Sequence, residues 1–96
     1  MTYFVLRSFV RKLDRVTPAE QTLIAETIEQ IKTYFETQTA PYGLRIKNLS
    51  PKIYEARINI HLRIIFFRDR DIVKFFCLGN HDDVANCLKN FKKAAV

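Results

Sequence analysis

The sequence predicts an α+β fold, with an N-terminal helical hairpin packed on a small, twisted, mostly antiparallel sheet and a short C-terminal helix. Apolar residues recur at helical spacing in the first half of the chain. The second half holds three runs rich in β-branched and aromatic residues, which are typical of adjacent strands. These runs are Ile53–Ile60, Leu62–Phe67 and Ile72–Leu78. With 96 residues, 48% of them hydrophobic, the chain suits one domain spanning residues 1–96.

The strongest helix signal is the segment Thr17-Pro18-Ala19-Glu20. It places threonine at the N-cap, proline at the first helical position and glutamate at the third, which is a capping box. The apolar stripe that follows predicts an amphipathic helix from about Pro18 to about Glu36. A shorter helix capped by Ser8 is predicted before it.

The other elements follow from alternation and turn residues. Tyr3–Leu6 and Leu44–Leu49 are predicted strands, and turns are expected at Asn59-Ile60-His61 and at residues 68–71. Gly79 ends the last strand, and Asn80 fits a helix N-cap with Asp83 three residues later. The predicted order is therefore β-α-α-β-β-β-β-α. In the strand that begins at Ile53, the alternation places Glu55 and Arg57 on the face opposite Tyr54 and Ala56.

The net charge of +6 lies wholly in the second part of the chain. Residues 1–40 hold five Lys/Arg and five Asp/Glu, whereas residues 41–96 hold eleven and five. A field of this sign favours a polyanion or an acidic protein partner. The alternative is a basic surface that only keeps the protein soluble.

Several classes of function are not favoured. No run approaches the roughly 18–20 apolar residues of a membrane span, and the N-terminus lacks the order of a secretory signal, so a cytoplasmic protein is expected. Cys77 and Cys87 form no disulfide framework and, with His61 and His81, match no zinc spacing. Both cysteines are expected to be buried as small hydrophobic residues. We predict neither a metal ion nor another cofactor.

Three segments carry a resemblance to a known family: KIYEARI (52–58), LRIIF (62–66) and LGNHDDV (78–84). Together with the two-helix first half, they resemble the RelE/ParE superfamily of bacterial toxins from type II toxin–antitoxin systems, over nearly the whole chain. The resemblance implies a small twisted sheet with helices packed on one side. It also implies a cytoplasmic toxin that cleaves messenger RNA on the ribosome and is held by a cognate antitoxin in a hetero-oligomer, away from any membrane.

The resemblance also implies residue roles. Arg63 matches the strand arginine that contacts the scissile phosphate, Arg57 matches a basic position on the preceding strand, and His81 matches a catalytic position after the strand-ending glycine. Asp82 follows the histidine as in histidine-type members. The chain departs from the family near Cys87, where several members have an aromatic residue, and near Glu55, which stands close to a basic position.

These residue types suit metal-free RNA cleavage. The reaction needs a proton acceptor for the attacking 2′-hydroxyl, a proton donor for the leaving oxygen and cations near the phosphoryl oxygens. Histidine titrates near neutral pH, and arginine presents forked donors to phosphate. Catalysis is therefore assigned to Arg57, Arg63 and His81. The predicted RNA-binding residues are Arg45, Lys47, Lys52 and Asp82.

Alternatives remain open at this point. Arg63 could form a structural ion pair with Glu55 or Asp82, and His81 could serve only as the first turn of the last helix. Two other functions fit the same resemblance: inhibition of DNA gyrase, as by ParE-type toxins, and binding without toxicity. Neither of these requires a catalytic histidine.

Overall fold

The elements follow one another in the predicted order. The computed structural model describes the backbone of residues 1–94 and the side chains of residues 1–91. The elements are β1 (Thr2–Val5), α1 (Arg7–Leu13), α2 (Pro18–Thr37), β2 (Arg45–Ser50), β3 (Ile53–Arg57), β4 (Arg63–Asp69), β5 (Ile72–Gly79) and α3 (His81–Ala94). No helix in this part of the chain is both long enough and apolar enough to cross a membrane.

The strands form one open sheet in the order β1-β5-β4-β3-β2. Only the β1–β5 pair is parallel, and the other three pairs are antiparallel. The predicted α+β class with a mostly antiparallel sheet is therefore confirmed.

One face of the sheet packs against α1 and α2 and forms the first core. Phe66 lies at its centre and is fully buried, with the rings of Phe35, Tyr54 and Phe75 between 5.4 and 5.7 Å from its own. The Thr17–Glu20 capping box starts α2 as predicted, since Thr17 Oγ1 accepts from the Glu20 backbone N–H and Glu20 Oε1 accepts from the Thr17 backbone N–H. The two N-terminal helices thus cover this face.

The opposite face packs against α3 and forms the second core. Val84 is buried there against strand residues that include Ile65 and Phe76, and the ring of Phe91 lies 4.5 Å from that of Phe76. The expectation of helices on one side of the sheet is therefore wrong. The reason is visible in β4, where consecutive residues 64–67 are all apolar, so both faces of the strand need cover.

The strand predicted to reach Ile60 ends at Arg57 instead. Asn59 Oδ1 accepts hydrogen bonds from the backbone N–H groups of His61 and Leu62, both at 2.8 Å. This local bonding gives the backbone an alternative to the sheet and forms the turn between β3 and β4. Ile60 is consequently 78% exposed.

The two cysteines are joined, which corrects the expectation that they form no disulfide and are buried as small hydrophobic residues. The register between β4 and β5 shifts after Ile65, which pairs with Cys77, whereas Phe66 pairs with Phe75. This bulge sends both Phe76 and Cys77 into the second core, beneath α3. Cys87 returns over the same strand on α3, and the two residues form a disulfide with a Cα–Cα distance of 6.0 Å.

Candidate functional site

Three arginines lie side by side across the sheet. Arg45 on β2 pairs with Arg57 on β3, Arg57 pairs with Arg63 on β4, and Arg63 pairs with Gly79 on β5. We call Arg45, Arg57 and Arg63 the arginine row. Paired residues on neighbouring strands are about 5 Å apart, and like charges placed directly opposite each other destabilise a sheet. Clustered cations of this kind produce a positive field that attracts an anion.

The arginine row is open to solvent at its β2 end. α3 packs on β4 and β5, so Arg45, Lys47 and Arg57 remain exposed on the uncovered part of the same face. Glu55 is the neighbouring carboxylate and pairs in register with Lys47. The row and Lys47 thus place four cations near one carboxylate, a local excess of +3. Arg45, Lys47, Arg57 and Glu55 line a cavity of about 150 Å³ beside the row.

His81 lies at the end of the arginine row that α3 covers. It is the first residue of α3, two positions after Gly79, and its Nδ1 lies 2.8 Å from Arg63 Nη1. Arginine has no acceptor, so the guanidinium donates and Nδ1 accepts. The ring proton of a neutral His81 therefore resides on Nε2. The predicted proximity of His81 and Arg63 is present in the structure.

Glu55 forms an ion pair with the same nitrogen of the Arg63 guanidinium that contacts His81. Its Oε1 lies 3.5 Å from Arg63 Nη1, and the two side chains are only 15% and 17% exposed. Of the two structural partners considered for Arg63, the observed ion pair is with Glu55 and not with Asp82. Arg63 Nε is buried and has no hydrogen-bond partner in the structure. The ion pair therefore orients Arg63 and leaves part of its donor capacity unused.

The start of α3 is held in place by hydrogen bonds between its own residues and by an ion pair to α1. Asn80 Oδ1 accepts from the Asp83 backbone N–H at 2.9 Å, and Asp83 Oδ2 accepts from the Asn80 backbone N–H at 3.0 Å, as predicted for this cap. Lys12 of α1 adds an ion pair to Asp83 at 3.2 Å. Gly79 makes the approach of α3 possible, because a Cβ at this position would stand 2.5 Å from Asp83 Cβ.

These contacts lower the pKa of Asp83. The hydrogen bond from the Asn80 backbone N–H lowers the pKa of Asp83, and Lys12 lowers it further, against the opposing effect of partial burial. Both contacts favour the ionised carboxylate. The cap at the site is therefore stronger when Asp83 is charged.

We expect the free energy of unfolding to fall as the pH drops below about 3.8, the ordinary pKa of this carboxyl. Because the folded pKa is the lower one, this contribution is complete above the unfolded pKa and is lost as the pH falls through the folded value. Urea unfolding between pH 2.5 and 6 measures it, and Asp83→Asn should show a shallower acid loss. Equal acid slopes for the two proteins would contradict the assignment.

Two predicted RNA-binding residues lie differently from the rest. Lys52 stands at the opposite end of β3 from Arg57, about 16 Å away at 3.3 Å per residue, and it pairs with Asp69 at 3.0 Å. Lys52, predicted to contact the RNA backbone, therefore lies at the far end of the sheet from the arginine row, where the turn at Ser50–Pro51 joins β2 to β3. Asp82 is exposed in the first turn of α3, next to His81.

Comparison with known proteins adds no assignment. The chain matches no protein-family model, no curated protein and no solved structure. The RelE/ParE resemblance thus stays a prediction. Among the described residues, no group of three or more His, Cys, Asp and Glu side chains is placed to hold a metal ion.

Sequence reasoning missed the contribution of Lys12 to the site. Lys12 lies 71 positions from Asp83, and no local pattern links them. Their contact depends on α1 packing beside the second half of β5, where Ser8 Oγ donates to the Phe76 carbonyl at 2.6 Å. Only the tertiary arrangement could have identified this lysine.

Proposed function

We propose that the protein is a RelE-like toxin of a type II toxin–antitoxin system, a cytoplasmic endoribonuclease that cleaves messenger RNA on the ribosome. The observation that carries the proposal is the 2.8 Å contact between Arg63 Nη1 and His81 Nδ1 at the end of an open arginine row. It joins a phosphate-binding group to a proton-transfer group. The ribosome, the cytoplasm, the antitoxin and the hetero-oligomer rest on the resemblance of the KIYEARI, LRIIF and LGNHDDV segments.

The arginine row would receive the RNA backbone. Arg45, Lys47 and Arg57 are exposed and hold neighbouring phosphates, while Arg63 receives the scissile phosphate beside His81. Backbone contacts of this kind position the strand without reading its sequence. Asp82 carries a negative charge and therefore accepts hydrogen bonds from a ribose hydroxyl or a base N–H instead of contacting a phosphate.

His81 then transfers the protons. The phosphate attracts the Arg63 guanidinium, which then no longer donates a hydrogen bond to His81 Nδ1. The free Nδ1 accepts the proton of the adjacent 2′-hydroxyl. The 2′-oxygen attacks phosphorus, the bond from phosphorus to the 5′-oxygen breaks, and the imidazolium returns its proton to that oxygen. The products are a 2′,3′-cyclic phosphate and a 5′-hydroxyl. Arg63 and Arg57 stabilise the charge on the phosphoryl oxygens as it develops.

Primer extension on cellular messenger RNA after brief induction tests the proposal. Wild type should produce new ends inside translated frames, and His81→Ala should produce none. His61→Ala is the matched control, since His61 is exposed in the β3–β4 turn and, among the described residues, makes no hydrogen bond or ion pair with Arg63. Growth arrest without new ends would replace the proposal by gyrase inhibition. Neither arrest nor ends would leave a binding protein without toxicity.

The two lysines Lys47 and Lys52 give a second, matched comparison. Lys47→Met should weaken binding of a single-stranded RNA oligomer and reduce the slope of log affinity against log salt by about 0.7, the value for one lost phosphate contact. Lys52→Met should leave both quantities unchanged, because Lys52 lies at the far end of β3. Fluorescence anisotropy over a salt series measures this. Equal losses in the two variants would refute the proposed path of the RNA.

A further inference from the structure

A groove of about 560 Å³ opens between α1 and α3 above the second half of β5. Its lining includes Leu6, Phe76 and Leu78 together with both cysteines of the disulfide. The groove lies apart from the arginine row, which crosses β2, β3 and β4 on the other side of α3. The disulfide is thus the reactive group of a second, separate concavity.

The two sulfur-bearing residues are not equally protected. Cys77 lies in β5 and is 1% exposed, whereas Cys87 lies on α3 and is only half-buried. Both residues line the groove and Cys87 is the more exposed of the two, so we take the Cys87 sulfur as the one that a thiol attacks. Cys77 is then the leaving group, inside the second core.

The same bond is a second covalent link between α3 and the sheet, in addition to the backbone at Asn80. Apart from the disulfide, the described part of α3 is held by one fully buried apolar side chain, Val84, and by the half-buried Leu88 and Phe91. The Lys12–Asp83 ion pair adds little, because these side chains are 40% and 35% exposed. Elements with few buried contacts open most readily from a folded protein.

We propose that Cys77–Cys87 is a thiol–disulfide exchange site in the folded protein, that dithiols are its reaction partners, and that opening it releases α3 together with His81. Disulfides of cytoplasmic proteins are usually transient and redox-sensing, and in this step the inference rests on the cytoplasmic location proposed above. The placement of this bond beneath a groove, at the base of the helix that carries a site residue, fits that use. The inference does not depend on RNA cleavage, because its primary readouts are structural.

The exchange balances with one dithiol and no other reactant. The first thiolate attacks Cys87 Sγ, forming a mixed disulfide and breaking the Cys77–Cys87 bond, and Cys77 takes up a proton. The second thiolate attacks the sulfur of the reagent in that mixed disulfide and leaves as part of a cyclic disulfide. Cys87 is then released as a thiol. Two electrons and two protons pass from the dithiol to the protein.

Release of α3 also moves His81, because the connection between α3 and β5 is short. His81 is six residues before Cys87, and only Asn80 separates the helix from the end of β5 at Gly79. With the bond intact, α3 holds the His81 ring against Arg63. With the bond open, the contact depends on the Asn80–Asp83 cap and on Val84.

The test uses oxidised full-length protein treated with dithiothreitol without denaturant, followed by thiol counting and hydrogen exchange. We expect two thiols to appear and the α3 amides to exchange at least tenfold faster, with the α2 amides unchanged within about twofold. The His81 ring resonances should shift at the same time. Cys87→Ala should reproduce the reduced protein and should not respond to dithiothreitol, with far-UV circular dichroism confirming that both are folded.

Three results would overturn the proposal. Two free thiols in air-oxidised protein would exclude the bond. Reduction only after denaturant is added would exclude exchange in the folded state. Reduction that leaves α3 exchange and the His81 resonances unchanged would show that the bond does not secure the helix.

Discussion

Replacing Arg63 with alanine is expected to reduce RNA cleavage by about 10²–10³-fold, as for loss of a donor that stabilises a charged transition state. Arg63 is the one residue of the row that contacts both His81 and Glu55. The change also leaves the mostly buried Glu55 carboxylate without a partner. We therefore expect the free energy of unfolding to fall by about 1–3 kcal/mol.

The two effects of Arg63→Ala can be separated. Arg63→Lys retains the charge but loses the fork of N–H donors, so cleavage should remain well below wild type. The double variant Arg63→Ala/Glu55→Gln removes the unpaired charge and should recover stability without recovering cleavage. In vitro cleavage assays with ribosomes, together with urea unfolding, measure both quantities. Recovery of cleavage in the double variant would show that Arg63 acts only through stability.

Gly79→Ala should destabilise the protein by about 2–5 kcal/mol, combining backbone strain with overpacking. Gly79 has φ +151°, which L side chains rarely adopt, and its added Cβ would overlap the Asp83 side chain. The first turn of α3 would have to move away from β5. Chemical denaturation and the His81 ring resonances should therefore change together.

Gly43→Ala is the matched control for this change. Gly43 has φ +88° but no atom within 4 Å of an added Cβ, so it isolates backbone strain from the clash. We expect a smaller loss of stability, about 1–2 kcal/mol, and unchanged His81 resonances. Equal effects of the two substitutions would mean that Gly79 matters for its backbone conformation alone.

Local structure could be predicted from the sequence because the interactions that produce it span only three or four residues. Thr17 and Glu20 form the capping box that starts α2, and Asn80 and Asp83 cap α3 in the same reciprocal way. Alternation along β3 placed Glu55 and Arg57 on one face, as the register shows. The predicted element order followed from such signals.

Contacts between segments that are far apart in the chain could not be predicted from the sequence. Cys77 and Cys87 meet because a bulge turns Cys77 towards the face that α3 crosses, and a spacing of ten residues does not reveal this. Lys52 was predicted to bind RNA because of its charge, although the turn before β3 places it at the far end of the sheet.

The sequence by itself thus determined the order of the helices and strands and which side chains share a face of β3. Only the tertiary structure decided that α3 covers the second face and that Arg63 lies between Glu55 and His81. The reason is physical. Caps and alternation depend on backbone geometry within a few residues, whereas the site depends on register between strands and on how α3 packs across them.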